Sequence, residues 1–440
     1  MDPAAVARFA FTPGPGAGLA IERAEGCWLV AAGGHRILDA AGGAIVSNIG
    51  HGRAEVGEAM ARASARTTYV VPPFATEERV RLSERLRERW LPEGLTRVLF
   101  TSGGSESVDA ALRIARQHHV AKGEASRWKM VGRDLGYHGV TLATLAVGGH
   151  TKRRKNMGPL LADFPHVPAC YPLRCGLCRG RCELQCADAL EALILREGPE
   201  TVAAFVAEPI GGSTAGALDP PDGYWPRIAE ICRRHGVLLV ADEVMTGFGR
   251  TGRRFGVEHF GVVPDLMVGG KGLAGGYAPI SAVFAKEEVV APIAAAGDDV
   301  MFYTYGAHPA ACAAAEVVLD IIEREKLVAR AAQMGALLRE RLAKKLEKHP
   351  HVAEIRGRGL LQAVELVQDR ESLAPFPAEA RITARVVGTG IQNGVFFYPG
   401  GCDPARDVIC LGPPFVIEPA EIDFLVDVLE RSIDQVCAAL

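Results

Sequence analysis

Two short apolar runs end in residues suited to carbonyl and acid–base chemistry. Val237-Leu238-Leu239-Val240-Ala241 leads into Asp242-Glu243, and Asp265-Leu266-Met267-Val268-Gly269-Gly270 leads into Lys271. Each run is too short for a helix and reads as a buried parallel strand. The carboxyl end of such a strand is where open α/β sheets place their ligands. A carboxylate and an amine on one rim fit pyridoxal 5′-phosphate (PLP), which needs a Schiff-base lysine and an acid facing its ring nitrogen. Taken singly, the acidic pair also reads as a helix cap and Lys271 as a loop cation.

Three further segments offer what such a cofactor requires. Ser102-Gly103-Gly104-Ser105-Glu106-Ser107 follows a strand at 97–101 and opens a helix. Free backbone N–H groups and the positive end of the helix dipole would meet a phosphate there. The glycine spacing matches neither the P-loop nor the Rossmann pattern, and a plain capping turn has the same composition. Gly136-Tyr137-His138-Gly139 places an aromatic face on closely approaching backbone, suited to stacking on a ring. Ala203–Ala207 is another buried strand that ends in a carboxylate, Glu208.

The elements that carry these residues alternate strand and helix, which predicts an α/β domain around a mostly parallel sheet. With 440 residues, 48% of them hydrophobic and 23% charged, the chain can bury a large core in more than one domain. A net charge of −3 gives no general attraction to nucleic acid or anionic membrane. No apolar run has transmembrane length and no secretion signal is visible, so a cytoplasmic protein is expected. The first 18 residues, rich in Ala, Pro and Gly, read as a loose arm, and a hairpin follows with Gly33-Gly34 at its turn. Helices are expected near 54–67, 77–90 and 310–323. After Arg324 the character changes to helices near 328–348, 381–393 and 418–439 with a strand pair near 352–366. The boundaries drawn are 1–60 for a segment joining the small domain, 61–324 for the large cofactor-binding domain and 325–440 for the small domain.

The motifs Tyr137-His138-Gly139, Ala207-Glu208-Pro209, the run from Asp242 to Gly252, Gly270-Lys271-Gly272 and the run from Thr304 to Pro309 stand in a fixed order. In that order the chain resembles the class III, ω-aminotransferase-type branch of PLP-dependent enzymes of fold type I. The likeness runs from the Gly42–Gly52 segment to Pro413-Pro414. It implies a large domain with a mostly parallel seven-stranded sheet flanked by helices, plus a smaller α+β domain from the chain termini. It implies that Lys271 holds PLP as an internal aldimine and later shuttles the substrate proton. Asp242 would pair with the ring nitrogen and keep it protonated. Val244 and Tyr137 would cover the two ring faces, with His138 a ring neighbour or a structural histidine. Gly104, Ser105 and the amide of Glu106 would bind the phosphate, and Glu208 would stand behind Tyr137 and Asp242. Thr304 would reach the phosphate of the neighbouring subunit in a homodimer or a dimer of dimers.

Substrate choice is read from a departure. Many such enzymes place an arginine shortly before the Pro-Pro, where this chain has Cys410. Arg406 is the nearest candidate for a substrate carboxylate, and a surface pair with Asp403 or Asp407 is the competing reading. The expected reaction is transfer of an amino group from an amine without an α-carboxylate to a small 2-oxo acid such as pyruvate, by a ping-pong mechanism. A PLP-dependent mutase, epimerase or decarboxylase of the same fold is the rival enzyme.

Eleven cysteines are present, and Cys170, Cys175, Cys178, Cys182 and Cys186 crowd one insert at 168–188. In a chain with no secretion signal, clustered thiols suggest metal ligation more than disulfides. Cys182 and Cys186 are four apart and would share a helix face, and Cys175 and Cys178 have the two-residue gap common to zinc and iron–sulfur ligands. A four-thiolate site is therefore expected at Cys175, Cys178, Cys182 and Cys186, with Cys170 as a substitute. One compact loop suits an iron–sulfur cluster (4Fe–4S) better than zinc. Arg174, Arg179 and Arg181 would offset its charge. The role would be structural, with a redox regulator as the non-enzymatic alternative.

Overall fold

The computed structural model describes residues 19–178 and 182–440, so the N-terminal arm and Arg179 and Arg181 lie outside the described residues. The central sheet has eight strands. Its main path runs Leu95–Thr101, Ser281–Lys286, Leu266–Gly269, Leu238–Asp242, Val202–Ala207, Lys129–Asp134 and Gly148–Gly149, while His166–Val167 pairs beside Lys129–Asp134. Ser281–Lys286 is antiparallel to both neighbours, and the other ladders are parallel. Every residue of Val202–Ala207 and of Leu238–Asp242 is buried. Apolar side chains on both faces of these strands demand cover on both sides, which is the physical origin of the layered α/β arrangement.

The chain enters the Asp242 strand through a tight helix stop. The helix Tyr224–His235 packs Trp225, Ile228 and Ile231 into the core. Gly236 takes φ +64°, which a Cβ would strain, and the Val237 N–H returns to the Cys232 carbonyl at 2.9 Å. Only Gly236 and Val237 therefore separate the helix from the strand. Trp225 is fully buried and its indole N–H donates to the Pro209 carbonyl at 2.9 Å, so truncating it to Ala would cost about 3–5 kcal/mol.

Two smaller sheets flank this layer. Ile21–Glu25, Trp28–Ala31 and Arg36–Asp39 form an antiparallel set, and Val395–Phe396 joins its edge in parallel. The N-terminal segment thus adds to structure built by the C-terminal third of the chain. The second sheet runs Val352–Arg358, Leu361–Leu366, Ala405–Leu411, Tyr398–Cys402. The first two were expected; the last two were not, since Gly400, Gly401 and Pro404 interrupt any alternation.

Two buried polar knots bind these sheets to the central layer. Arg250 is buried and donates to the carbonyls of Ser47 (2.7 Å), Pro413 (2.6 Å) and Leu360 (3.2 Å). Glu365, also buried, accepts from Arg174 at 2.6 Å, from Arg356 at 2.6 Å and from the Tyr171 hydroxyl. The insert after residue 168 is thereby fastened to the C-terminal sheet. Among the described residues no helix is long and apolar enough to cross a membrane.

Candidate active site

The strand Leu238–Asp242 delivers Asp242 to the sheet rim, where its carboxylate is almost fully buried. One oxygen accepts the Val244 N–H at 3.0 Å; the other lies 2.8 Å from His138 Nδ1. A carboxylate can only accept, so Nδ1 carries the proton of that bond. His138 Nε2 is buried without a partner. Glu243 points the opposite way. It accepts N–H groups from Gly256 (2.8 Å) and Val257 (2.7 Å) and the Thr246 hydroxyl, and burial pushes its carboxyl up to about 7. Adjacent acids thus divide the work: one faces the cavity, and the other anchors the loop that follows.

Lys271 follows the neighbouring strand Leu266–Gly269 in a short turn, with φ +41° at the lysine itself. Burial pushes its amine down to about 8, against the opposing pull of Asp242 and Glu208. At that value a useful fraction of the amine is unprotonated and nucleophilic near neutral pH. Glu208, at the end of the next strand, accepts the Tyr137 N–H at 3.1 Å and the Gly212 N–H at 2.8 Å. Burial raises its carboxyl above the usual range, and the Asp242 charge adds to the effect. Its backbone carbonyl takes a bond from buried Arg133 at 2.9 Å. Glu208 therefore acts by fixing the Tyr137 loop.

Lys271, Asp242, His138, Tyr137, Glu208, Val244, Gly104 and Ser105 line one cavity of about 510 Å³. Gly104 opens the helix Gly104–Ala121, and a Cβ there would press on the Val244 side chain at 3.1 Å. Gly139 takes φ +135°, and a Cβ there would collide with Ser105 Oγ. The Ser105 hydroxyl accepts the Val140 N–H at 3.1 Å, and the Glu106 carboxylate turns back to accept the Ser102 N–H at 2.8 Å. The chain is thus kept bare at the start of a long helix, where backbone N–H groups can receive a phosphate.

The donor set fits PLP. An amine of depressed basicity and a hydrogen-bonded carboxylate share the cavity with an aromatic ring, an isopropyl group and an anion-receptive helix start. In the bound state Lys271 would hold the aldehyde carbon, Asp242 the ring nitrogen, Tyr137 and Val244 the ring faces, and Gly104, Ser105 and the Glu106 amide the phosphate.

Two of the expected residues are not part of this cavity; for Thr304 the expected place is the phosphate of the neighbouring subunit. Thr304 is exposed and is not among the residues lining this cavity. Arg406 is held by Asp403 at 2.7 Å and by the Phe376 carbonyl at 3.2 Å, in a separate cavity. Sequence reasoning missed Arg133 and Arg153. Arg153 lies over the Tyr137 ring at 5.0 Å. The basic run from Lys152 to Lys155 was the available signal.

The structure gives the four-thiolate expectation no support. Among the described residues no three His, Cys, Asp or Glu side chains gather to hold a metal ion. Cys170 and Cys186 are both buried and lie close enough for each to shift the other's thiol. Cys178 lies 4.0 Å from Cys182 and donates to Gln185 Oε1 at 2.8 Å, with Cys175 beside it. The helix starts only at Gln185, after Leu184 in a left-handed conformation at φ +66°. The four-residue spacing of Cys182 and Cys186 therefore never becomes a shared helix face, and Cys186 turns into the core instead. Arg174, expected to balance thiolate charge, is bound to Glu365.

Comparison with known proteins agrees with this geometry. The profile described as "Aminotransferase class-III" matches residues 13–433. An uncharacterized aminotransferase of Schizosaccharomyces pombe is 39% identical, over 96% of this chain and 93% of its own. A putrescine–pyruvate aminotransferase of Pseudomonas aeruginosa is 35% identical, over 96% of this chain and 91% of its own. The crystal structure of a thermostable (S)-enantioselective omega-transaminase from Thermomicrobium roseum superposes with a TM-score of 0.90 at 38% identity, covering 95% of this chain and 92% of that one. A lysine and a carboxylate at adjacent strand ends, in a chain matched along nearly its whole length, have one meaning: this protein belongs to the class III aminotransferases.

Proposed function

We propose that the protein is a PLP-dependent transaminase that moves an amino group from an amine without an α-carboxylate to a small 2-oxo acid such as pyruvate, in two half-reactions of a ping-pong cycle. The reading is carried by one observation: the Lys271 amine, pushed down to about 8, shares a cavity with the Asp242–His138 pair and the start of the helix Gly104–Ala121. When bound, PLP supplies the electron sink that stabilises charge on the substrate carbon. Lys271 Nζ would anchor the cofactor and would serve as the base and acid that takes and returns the proton of the carbon bearing the substrate nitrogen. Asp242 holds a proton at the ring nitrogen, and His138 keeps the carboxylate turned to that task. Pyruvate as acceptor is supported by the likeness to the putrescine–pyruvate aminotransferase of Pseudomonas aeruginosa.

The working unit in this reading is a homodimer, or a dimer of dimers, with Thr304 directed to the phosphate site of the adjoining subunit. Thr304 is flanked by exposed Phe302 and Tyr305, the latter 64% accessible in a single chain, as a surface that pairs with a second copy would be.

The test is release of carbonyl product from an amine in the absence of any oxo acid. A transaminase gives close to one equivalent per active site and then stops. Absence of carbonyl product, with continued conversion of substrate to an isomer or a decarboxylated amine, would instead indicate an isomerase or decarboxylase and overturn the proposal.

A further inference from the structure

A second cavity of about 540 Å³ lies between the loop after Gly149 and the last strands of the C-terminal sheet. Lys152, Arg153, Arg381 and Arg406 line it against only two carboxylates, Asp403 and Asp407. These groups are not equally engaged. Arg406 is held by Asp403, and Asp407 accepts the N–H (3.2 Å) and hydroxyl (3.0 Å) of Thr383. Lys152 Nζ donates to the Gly401 carbonyl at 2.9 Å. Among the described residues the Arg153 guanidinium has no carboxylate partner; it rests on the face of Tyr137, 5.0 Å from the ring centre.

Tyr137 also lines the cofactor cavity, so Arg153 stands where the two spaces meet. Tyr398 and His150 complete the corner. His150 packs edge-on to Tyr137 at 6.3 Å with Nδ1 buried and unpartnered. Burial, with Arg153 and Lys152 nearby, pushes this ring down to about 4, so it adds no positive charge at neutral pH. Burial raises the half-buried Tyr398 hydroxyl, and the nearby Arg153 charge opposes that shift.

We propose that Arg153 receives the carboxylate of the 2-oxo acid acceptor, with Lys152 strengthening the local positive potential. This rests on the transaminase reading above. A guanidinium stacked on an aromatic ring is held in orientation while its N–H edge stays free, and that edge matches both oxygens of a carboxylate. The same charge repels the ammonium form of an amine donor. One cavity can then serve two unlike substrates: the acceptor is drawn in by its anion, and the donor enters as the neutral amine that reacts.

The experiment compares R153Q, R153K and R406Q with the wild-type enzyme, using one amine donor and either pyruvate or butanal as acceptor. Butanal presents the carbonyl without the carboxylate. In R153Q the ratio of kcat/KM for pyruvate to that for butanal is expected to fall about tenfold or more, mainly through the KM for pyruvate, as loss of a charge-assisted bond implies. R153K should recover part of the ratio. Binding of propionate, an inert carboxylate, to the PLP-loaded protein should weaken in parallel when followed by calorimetry. An unchanged ratio and unchanged propionate affinity in R153Q, or a loss confined to R406Q, overturns the assignment. Product release from amine alone does not involve the acceptor, so a wild-type enzyme that fails that assay condemns the transaminase reading rather than the role of Arg153.

Discussion

His138 Nδ1 donates to Asp242 across 2.8 Å, and the Val244 N–H holds the other oxygen at 3.0 Å. The carboxylate therefore reaches the cavity with its orientation already fixed. Removing the imidazole in H138A leaves Asp242 held by one donor. We expect kcat to drop about 10- to 100-fold, the range found when a group that orients a reacting residue is lost. The visible absorbance of the bound cofactor should shift in its pH dependence as well, which a purely structural loss would not produce.

Lys271 gives a pH prediction. Burial lowers the amine to about 8, so its reactive, unprotonated share rises through about pH 8 and then levels off. The rate at which protein stripped of cofactor takes up PLP should follow that curve. An ordinary lysine would keep gaining reactivity to about pH 10. Borohydride reduction and peptide mapping after uptake should place the label on Lys271.

Glu243 accepts three hydrogen bonds and touches no substrate space. In E243Q an amide N–H must face a donor whichever way the side chain turns. Stability should fall by about 1–3 kcal/mol, measured by denaturant unfolding. The cofactor absorbance of the folded fraction should be retained, in contrast to D242N.

The cysteines of the insert should separate by accessibility. Cys182 is exposed and Cys175 half-exposed, whereas Cys170 and Cys186 are buried. Iodoacetamide followed by mass spectrometry should label the first pair in the native protein and the second only on unfolding. Joint protection of Cys175, Cys178, Cys182 and Cys186, released by a chelator, would restore the metal reading.

Much of this site could be read from the chain because its parts are local. The strands before Asp242, Lys271 and Glu208 are unbroken apolar runs with a charge at the end, and burial on both sheet faces dictates that pattern. The strands Tyr398–Cys402 and Ala405–Leu411 could not be read, because pairing and not composition makes them strands: Ala405–Leu411 lies between Leu361–Leu366 and Tyr398–Cys402. The cysteine spacing misled for a related reason: a four-residue gap means a shared face only inside a helix, and Leu184 delays the helix. Arg153 shows the remaining limit. Its place over Tyr137 depends on how the loop after Gly149 folds back, which no spacing encodes.

Arg250 has a bearing on how the molecule comes into being. Its three acceptors are backbone oxygens near the start, past the middle and near the end of the chain, at positions 47, 360 and 413. During synthesis the guanidinium emerges long before its last acceptor does, so a nascent chain that stops short of Pro413 carries a buried cation with an incomplete set of carbonyls. Fastening of the flanking sheets to the central layer is then a late event, and a ribosome-bound fragment lacking the final segment should fail to retain PLP however complete its central sheet.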